Sequence, residues 1–324
     1  MFEFTGKVAV ITGAASGFGR AFADKGAALG MKLVLADVNP DALAQTVDAL
    51  RAAGAEAIGV PTDVARASQV EALAQAALDA FGKVHLLFNN AGVGSGGFLW
   101  ESSANDWEWV FGVNVMGVAH GVRVFAPIML AQGEPAHIVN TASVAGLLSP
   151  PAMGIYNASK HAVVSLTETL YHDLLLAQAG QVAQAVQASQ TSQTSQASQA
   201  EQATPPTTAQ QVSGPVGCSL LCPAFVPTGI ANAERARPAS LRNEGAPTRS
   251  QIAAGKQLQR AVQSGKLSAA DVADITFEAI AARRFYVITH PGIMATVELR
   301  HEDIEHLRNP TDPMSLKPEV KNAN

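Results

Sequence analysis

The sequence predicts an α/β fold, built as one doubly wound parallel sheet of about seven strands with helices on both faces. Short runs rich in Val, Ile and Leu alternate with longer segments of helical periodicity along most of the 324 residues. This alternation is typical of a parallel sheet whose crossover helices cover it. A glycine-rich turn after the first predicted strand supports the same fold, because it leads directly into a helical pattern.

The individual elements follow from hydrophobic periodicity. Buried-strand patterns, which are short, apolar and rich in β-branched residues, are found at 7–13, 32–37, 55–61, 84–90, 137–142, 216–222 and 285–289. Helical patterns cover 17–29, 40–53, 66–81, 103–131, 154–177 and 268–283. In such a fold the crossovers are right-handed, and the ligand binds at the carboxyl ends of the strands.

The composition is that of one soluble domain covering residues 1–324. The chain is 48% apolar and 15% charged, and its net charge of −5 gives no indication of nucleic-acid binding. There is no hydrophobic N-terminal run and no stretch long enough to span a bilayer, so no membrane partner is expected. Cys218 and Cys222 share one strand pattern about 13 Å apart, too far for a disulfide. Free cysteines suit a reducing compartment, and we expect a cytoplasmic protein.

Residues 12–19 read Thr-Gly-Ala-Ala-Ser-Gly-Phe-Gly and connect a predicted strand to a predicted helix. The glycines allow a tight turn close to a pyrophosphate, and the helix N-terminus offers free N–H groups to it. Asp37 ends the second strand pattern, where a carboxylate can bind ribose hydroxyls and would repel a 2′-phosphate. Arg20 could soften that preference. The segment therefore predicts a site for NAD, with NADP less favoured.

A second constellation points to proton transfer. Tyr156 and Lys160 stand at i and i+4 of a predicted helix, so their side chains lie on one face, and Ser143 precedes them by thirteen residues. A free phenol has a pKa of about 10, and a neighbouring ammonium favours the phenolate and lowers that pKa. The pair therefore predicts a tyrosine that exchanges protons near neutral pH.

With these residues together, the chain resembles the single-domain branch of the short-chain dehydrogenase/reductase family, which has a Rossmann-type fold. The similarity extends from about Gly6 to Leu176 and resumes from Val216 to His290. It implies the catalytic tetrad Asn114, Ser143, Tyr156 and Lys160. It also implies that the cofactor is bound by Gly13, Ser16, Gly17, Phe18, Gly19, Asp37, Asp63, Val64, Asn90, Ala91, Gly92, Tyr156, Lys160, Val226 and Thr228.

The resemblance assigns a role to each member of the tetrad. Tyr156 is expected to be the general acid/base, and Lys160 to lower its pKa and bind the nicotinamide ribose. Ser143 is expected to donate to the substrate oxygen as charge develops there. Asn114 is expected to bind a water that connects the lysine to solvent. The sequence departs from the family pattern at Ala224, where glycine is usual, and we expect a slightly shifted loop.

Three further segments have their own expected roles. Residues 178–214 include a short-period Ser/Gln repeat without charge, and we expect a disordered insertion. Residues 229–265 are expected to form a lid over the substrate, and 291–324 a C-terminal extension. Within the lid, Arg235, Arg237 and Arg242 could meet an anionic substrate, although exposed solvated side chains are the better expectation. The candidate substrate pocket is apolar: Phe98, Leu99, Leu147, Leu148, Pro150, Met153 and Phe225.

These observations predict an oxidoreductase that transfers a hydride between NAD and a secondary alcohol or ketone. No metal site is expected, because His120, His161 and His172 are not grouped with carboxylates or thiols. A homodimer or homotetramer is expected, since the family pairs the helices at 103–131 and 154–177 between subunits. Two alternatives remain open: a catalytically silent binding protein with the same fold, or an epimerase or dehydratase on a related fold.

Overall fold

A computed structural model describes residues 2–193 and 216–315, with the backbone alone for 181–193. It contains one sheet of seven parallel strands in the order β3-β2-β1-β4-β5-β6-β7. The strands are β1 Val8–Thr12, β2 Lys32–Asp37, β3 Ala57–Pro61, β4 Leu86–Asn89, β5 Ala136–Thr141, β6 Val216–Cys222 and β7 Tyr286–Ile288. The predicted doubly wound sheet is confirmed. β2 and β6 have the predicted bounds, β5 is shifted by one residue, and the other four strands are slightly shorter than predicted.

Nine α-helices occur in the described residues, and most of them connect consecutive strands. They are α1 Gly17–Ala28, α2 Pro40–Ala52, α3 Ala67–Phe81, α4 Ala104–Phe111, α5 Gly117–Gln132, α6 Gly154–Gln193, α7 Arg249–Gln263, α8 Ala269–Ala281 and α9 Met294–Glu305. Short 3₁₀ segments lie at Leu99–Glu101, Val144–Gly146, Gly229–Ala236, Ala239–Leu241 and Pro291–Ile293. Thus the expected 229–265 lid and the 291–324 extension both contain helical structure.

Alternate residues along each central strand face opposite layers of helices. In β1, Ala9 and Ile11 belong to a cluster with α1, α2 and α8, whereas Val8 and Val10 belong to one with α3, α5 and α6. All five residues of β1 are buried, as expected for a parallel strand covered on both faces. Helices therefore cover both faces of the sheet, which supports the loops at its carboxyl edge.

The strand order reverses between β1 and β4, which are neighbours in the sheet although α1, β2, α2, β3 and α3 separate them in the chain. Chains leaving these two strands turn in opposite directions, so a crevice opens between their carboxyl ends. The loops that follow β1, β4, β5 and β6 all start at this crevice.

The apolar segment predicted as one helix over 103–131 is three elements in the structure. A π-helical turn, Gly112–Met116, separates α4 from α5. The whole stretch Ala104–Gln132 is long and apolar enough to cross a membrane by length and composition, which corrects the expectation that no segment is. Within the fold, however, α5 packs against α3 and the strands β4 and β5. Core helices of soluble proteins pass the same test.

The expected disordered segment 178–214 is wrong in its first part, because α6 continues to Gln193. Alanine and glutamine are good helix formers and dominate residues 177–188, which explains the extension. Gln178 is itself buried and belongs to the fold. Residues 194–214 lie outside the described part of the chain.

Candidate active site

A cavity of about 850 Å³ lies along the carboxyl edge of the sheet, within the usual range for ligand pockets. Its wall includes every predicted cofactor residue except Gly19: Gly13, Ser16, Gly17, Phe18, Asp37, Asp63, Val64, Asn90, Ala91, Gly92, Tyr156, Lys160, Val226 and Thr228. The predicted catalytic residues Ser143, Tyr156 and Lys160 line it too, whereas Asn114 does not. The fold thus brings residues from six loops to one continuous surface.

The turn after β1 requires glycine at three positions. Gly13 and Gly17 have φ of +65° and +55°, a region that side chains other than glycine rarely adopt. A Cβ on Gly19 would lie 2.1 Å from the Gly13 carbonyl oxygen, so only glycine lets α1 start against the turn. Gly19 therefore shapes the cavity without lining it. The Ser16 side chain caps no backbone N–H of α1, which leaves the start of the helix open toward the cavity.

The Asp37 carboxylate is fixed at the end of β2. Its Oδ2 accepts a hydrogen bond from the Ala15 N–H at 3.0 Å, and its Oδ1 accepts one from the Asn39 N–H at 3.0 Å. These bonds connect the acid to the glycine turn and hold it on the cavity wall. Arg20 points elsewhere, because its guanidinium pairs with Asp24 at 2.8 Å.

The walls on either side of the turn are held by short polar contacts. Thr12 Oγ1 accepts the N–H of Asn90 at 2.9 Å and that of Ala91 at 3.0 Å, which joins the ends of β1 and β4. After β3, Asp63 Oδ1 accepts the Ala65 N–H at 3.0 Å, and Arg66 pairs with the same carboxylate at 3.4 Å. Both loops are therefore held in place by contacts within the protein itself.

Ser143, Tyr156 and Lys160 meet where β5 ends and α6 begins. Ser143 is close enough to Tyr156 to lower the pKa of the phenol, and the Ser143 hydroxyl donates to the Pro223 carbonyl oxygen at 3.3 Å. The Lys160 ammonium is buried, donates to the Thr141 carbonyl at 2.8 Å, and lies 5.7 Å from the centre of the Tyr156 ring. A hydroxyl pair and an ammonium therefore face one end of the cavity.

Asn114 stands in the π-helical turn and is fully buried. Its Oδ1 accepts the Val93 N–H at 2.8 Å, while its Nδ2 donates to the Val93 carbonyl and to Ser159 Oγ, each at 3.0 Å. Both amide hydrogens are therefore used, and one lone pair of Oδ1 is left for a water. The amide connects the loop after β4 to α6, a contact through Ser159 that the sequence did not indicate.

Burial shifts the pKa values of both Tyr156 and Lys160 away from their usual values. Burial raises the pKa of Tyr156 above its usual 10, and the hydrogen bond with Ser143 opposes that rise. Burial lowers the pKa of Lys160 to about 8. The expectation that Lys160 lowers the pKa of Tyr156 is therefore not met in this structure. The physical reason is that burial disfavours the charged phenolate, and burial is the largest cause of the shift.

One part of the cavity wall is largely apolar. Of the expected pocket residues, Pro150, Met153 and Phe225 line it. Phe98, Leu99, Leu147 and Leu148 do not, because the first two lie exposed on the outer surface and the last two pack behind the wall. Residues that sequence reasoning missed come from segment 229–263: Ile230, Ala233, Leu258 and Val262. Their contribution depends on how that segment folds back, which no local pattern indicates.

The three arginines of this segment have three different environments. Arg237 is buried, which corrects the expectation of a solvated side chain: it pairs with Asp106 at 2.7 Å and stacks 4.8 Å from the Trp109 ring centre. The Asp106 carboxylate and the face of the Trp109 ring offset the hydration that the guanidinium loses on burial. Arg235 lines the cavity, and Arg242 is exposed outside it.

Comparison with known proteins agrees with this arrangement. A model of the short chain dehydrogenase family matches residues 7–203. A CLA biosynthesis dehydrogenase/reductase from Lactiplantibacillus plantarum is 32% identical over 302 residues, which cover 93% of each chain. The 1-deoxy-11-beta-hydroxypentalenate dehydrogenase of Streptomyces exfoliatus is 38% identical over 170 residues, 52% of this chain and 62% of that protein.

A solved structure extends the similarity to the whole fold. A short chain dehydrogenase/reductase from Burkholderia phymatum, crystallised with NAD, is 73% identical and superposes with a TM-score of 0.86. The match covers 98% of this chain and 100% of that one. The family model, a relative matched over nearly its full length and the seven-stranded sheet all agree, so this chain belongs to the short-chain dehydrogenase/reductase family.

Proposed function

We propose that the protein is an NAD-dependent oxidoreductase that interconverts a secondary alcohol and a ketone on an apolar substrate. The observation that carries this proposal is the single cavity that has a glycine turn with an acid at one end and the Ser143, Tyr156 and Lys160 cluster at the other. Family membership supports a dehydrogenase or reductase. The NAD bound to the Burkholderia phymatum relative supports the choice of cofactor.

The residues of this chain fit a dinucleotide. Gly13 would not tolerate a side chain, since a Cβ there would come 3.0 Å from the Ala91 Cα, and the bare turn leaves room for phosphates. Asp37 would accept the adenosine ribose hydroxyls, and Asp63 and Val64 would flank the adenine. Thr228 and Val226 would hold the nicotinamide end, beside Tyr156 and Lys160. When bound, the nicotinamide accepts or supplies the hydride.

The protein's own part in the reaction is proton transfer and positioning. In oxidation, the Tyr156 phenolate takes the proton of the substrate hydroxyl; in reduction, the phenol gives that proton to the substrate oxygen. The Ser143 hydroxyl donates to the same oxygen as negative charge develops on it. Lys160 would bind the nicotinamide ribose from its place on the Thr141 carbonyl. Asn114 is a positioning residue, because its amide holds the Val93 backbone and the Ser159 hydroxyl in place.

The apolar end of the cavity supports the substrate class. Pro150, Met153, Phe225, Ile230 and Leu258 offer no polar side chain to a ligand. The charged Arg237 beside them already has its carboxylate partner in Asp106. A hydrophobic alcohol or ketone fits these surroundings better than an anion would.

A panel of secondary alcohols and ketones of increasing apolar size, assayed with NAD or NADH by cofactor absorbance, tests the proposal. We expect turnover that increases with apolar size and is lost in Tyr156→Phe. NAD reduction that is absent for every alcohol, with NADH still bound, would instead support the silent binding protein. Substrate conversion without a net change in NADH absorbance would support an epimerase or dehydratase.

A further inference from the structure

Arg235 stands beside the glycine turn on the cavity wall. Its Nη2 donates to Ser16 Oγ at 3.3 Å, a long hydrogen bond between segment 229–263 and the glycine turn. Ser16 is the N-cap residue of α1, and its side chain caps no backbone N–H of that helix. The guanidinium therefore stands beside open helix N–H groups on the cavity wall.

Arg235 is also an exposed cation on the cavity wall, and no carboxylate in the described part of the chain pairs with it. Lys160 donates to a buried carbonyl, Arg66 pairs with Asp63, and Arg237 pairs with Asp106. Within the described part of the chain, Arg235 has no acidic partner, and its one hydrogen-bond acceptor is the neutral Ser16 hydroxyl. A phosphate oxygen would be a much stronger partner, since bonds between charged groups are about twice as strong as neutral ones.

The neighbouring residues fix the backbone that carries this guanidinium. Arg237, two residues further on, fastens the end of the 3₁₀ segment Gly229–Ala236 to Asp106 of α4. At the start of the segment, a Cβ on Gly229 would lie 2.8 Å from Arg235 Nη2, so the missing side chain leaves room for the guanidinium. The arginine is thus placed across the turn by the fold itself.

We propose that Arg235 binds the pyrophosphate of the dinucleotide and closes segment 229–263 onto it. This assignment rests on the proposed function, because it needs a dinucleotide in the cavity. The guanidinium exchanges Ser16 Oγ for a pyrophosphate oxygen, and no covalent bond changes. Ile230 and Ala233 of the same 3₁₀ segment line the substrate end, so cofactor binding completes the wall that meets the substrate. NAD should therefore bind before the substrate.

Titration of the purified protein with NADH, followed by nucleotide fluorescence, tests the assignment. Arg235→Ala should raise the NADH dissociation constant about tenfold, the effect of one partly solvated charged hydrogen bond. Arg242→Ala is the matched control: it removes the same charge from the same segment but outside the cavity, and the constant should stay unchanged. Added salt should weaken NADH binding more in the wild type than in Arg235→Ala.

Two further measurements separate a phosphate contact from a general effect on the segment. By calorimetry, Arg235→Ala should weaken the binding of ADP, which carries the diphosphate, and leave that of adenosine unchanged. Gly229→Ala should displace the guanidinium and weaken NADH binding while Arg235 is intact. Equal NADH affinities in wild type and Arg235→Ala would overturn this assignment alone. No NADH binding by the wild type would overturn the proposed function as well.

Discussion

At the scale of single residues, Tyr156, the proposed acid/base, lies in an environment that disfavours its ionisation. Its phenol lies beside Ser143 and within reach of the Lys160 ammonium, yet burial raises its pKa. A raised pKa keeps the phenol protonated at neutral pH, which is the form that donates a proton in reduction. Oxidation needs the phenolate, so its rate should rise with pH, whereas reduction needs the phenol and should fall.

Tyr156→Phe removes only the hydroxyl, and the ring still packs. We expect kcat to fall by about 10²–10⁴-fold, the contribution of a positioned acid/base. NADH affinity should change little, since the hydroxyl faces the substrate. Tyr171→Phe makes the same chemical change at a tyrosine outside the cavity and should keep full activity. A Tyr156→Phe enzyme with normal turnover and an unchanged pH profile would show that another group is the base.

The buried Lys160 ammonium should lower the free energy of unfolding at neutral pH. Its pKa is about 8 in the folded protein and near 10.5 when unfolded, so between these values the unfolded chain binds more protons. The free energy of unfolding should therefore rise with pH from about 8 to 10.5. Lys160→Met should be more stable than wild type at pH 7, by about 1–3 kcal/mol, and the difference should shrink by pH 10.

Denaturant unfolding of both proteins across this pH range measures the difference. Lys160→Met also removes the hydrogen bond to the Thr141 carbonyl. This loss lowers the free energy of unfolding of the variant, because it leaves a buried acceptor without a donor. If the stability difference between the two proteins did not change between pH 7 and 10, the buried ammonium would not be the cause.

Asp37 should decide between the two nicotinamide cofactors. Its carboxylate is held toward the cavity by two backbone N–H groups, and Arg20, which could offset its charge, is paired with Asp24. Like-charge repulsion with a 2′-phosphate should make kcat/KM higher for NAD than for NADP. Asp37→Ser should reduce that ratio about tenfold or more, whereas Asp41→Ser, an exposed acid nearby, should not. A wild type that prefers NADP would contradict this prediction.

At the scale of elements, Gln178 joins α6 to the first residue of β6. Its side-chain Nε2 donates to the Val216 carbonyl at 3.1 Å, and its Oε1 accepts the Val216 N–H at 3.0 Å. The same Nε2 also donates to the Leu174 carbonyl at 2.7 Å. The chain therefore returns beside Gln178 to begin β6.

Replacing 181–213 with a short Gly/Ser linker should leave folding and turnover nearly intact, because loop-closure entropy changes slowly with length. Adding Gln178→Ala to that variant should lower the free energy of unfolding by about 1–3 kcal/mol, since two buried backbone groups lose their partner. Denaturant unfolding and a standard turnover assay measure both effects. A well-folded linker variant that loses most of its activity would reveal a role for the removed segment.

At the scale of the whole molecule, we predict a homodimer or homotetramer. Several apolar side chains on the outer faces of α4 to α6 remain exposed, among them Met116 at 45% and Leu176 at 72%. Such exposure on adjoining helices is typical of an interface between subunits. Light scattering at micromolar concentration should give a mass of two or four times 33.6 kDa.

Charge placed on these helices should weaken the assembly. Leu176→Glu should shift the protein toward a smaller mass, whereas Glu168→Gln, a change that removes charge on the same helix, should not. A wild type that is strictly monomeric at this concentration would contradict the prediction.

Local sequence determined the features whose causes lie within a few residues of each other. The β1 strand, the Gly13–Gly19 turn and α1 form one continuous pattern, and backbone φ alone demands glycine at Gly13 and Gly17. The strand patterns were equally clear, because strands buried on both faces must be apolar throughout. Together these fixed the fold class and most of the cavity wall before any tertiary contact was known.

The tertiary structure decided what depends on distant partners and on burial. Arg237 and Asp106 are 131 residues apart, and Gln178 and Val216 are 38 apart, so no window of sequence relates them. The pKa of Tyr156 depends on how deeply the folded chain buries it, which outweighs the helical spacing to Lys160. Desolvation and long-range pairing are properties of the assembled fold, and only the folded chain could show them.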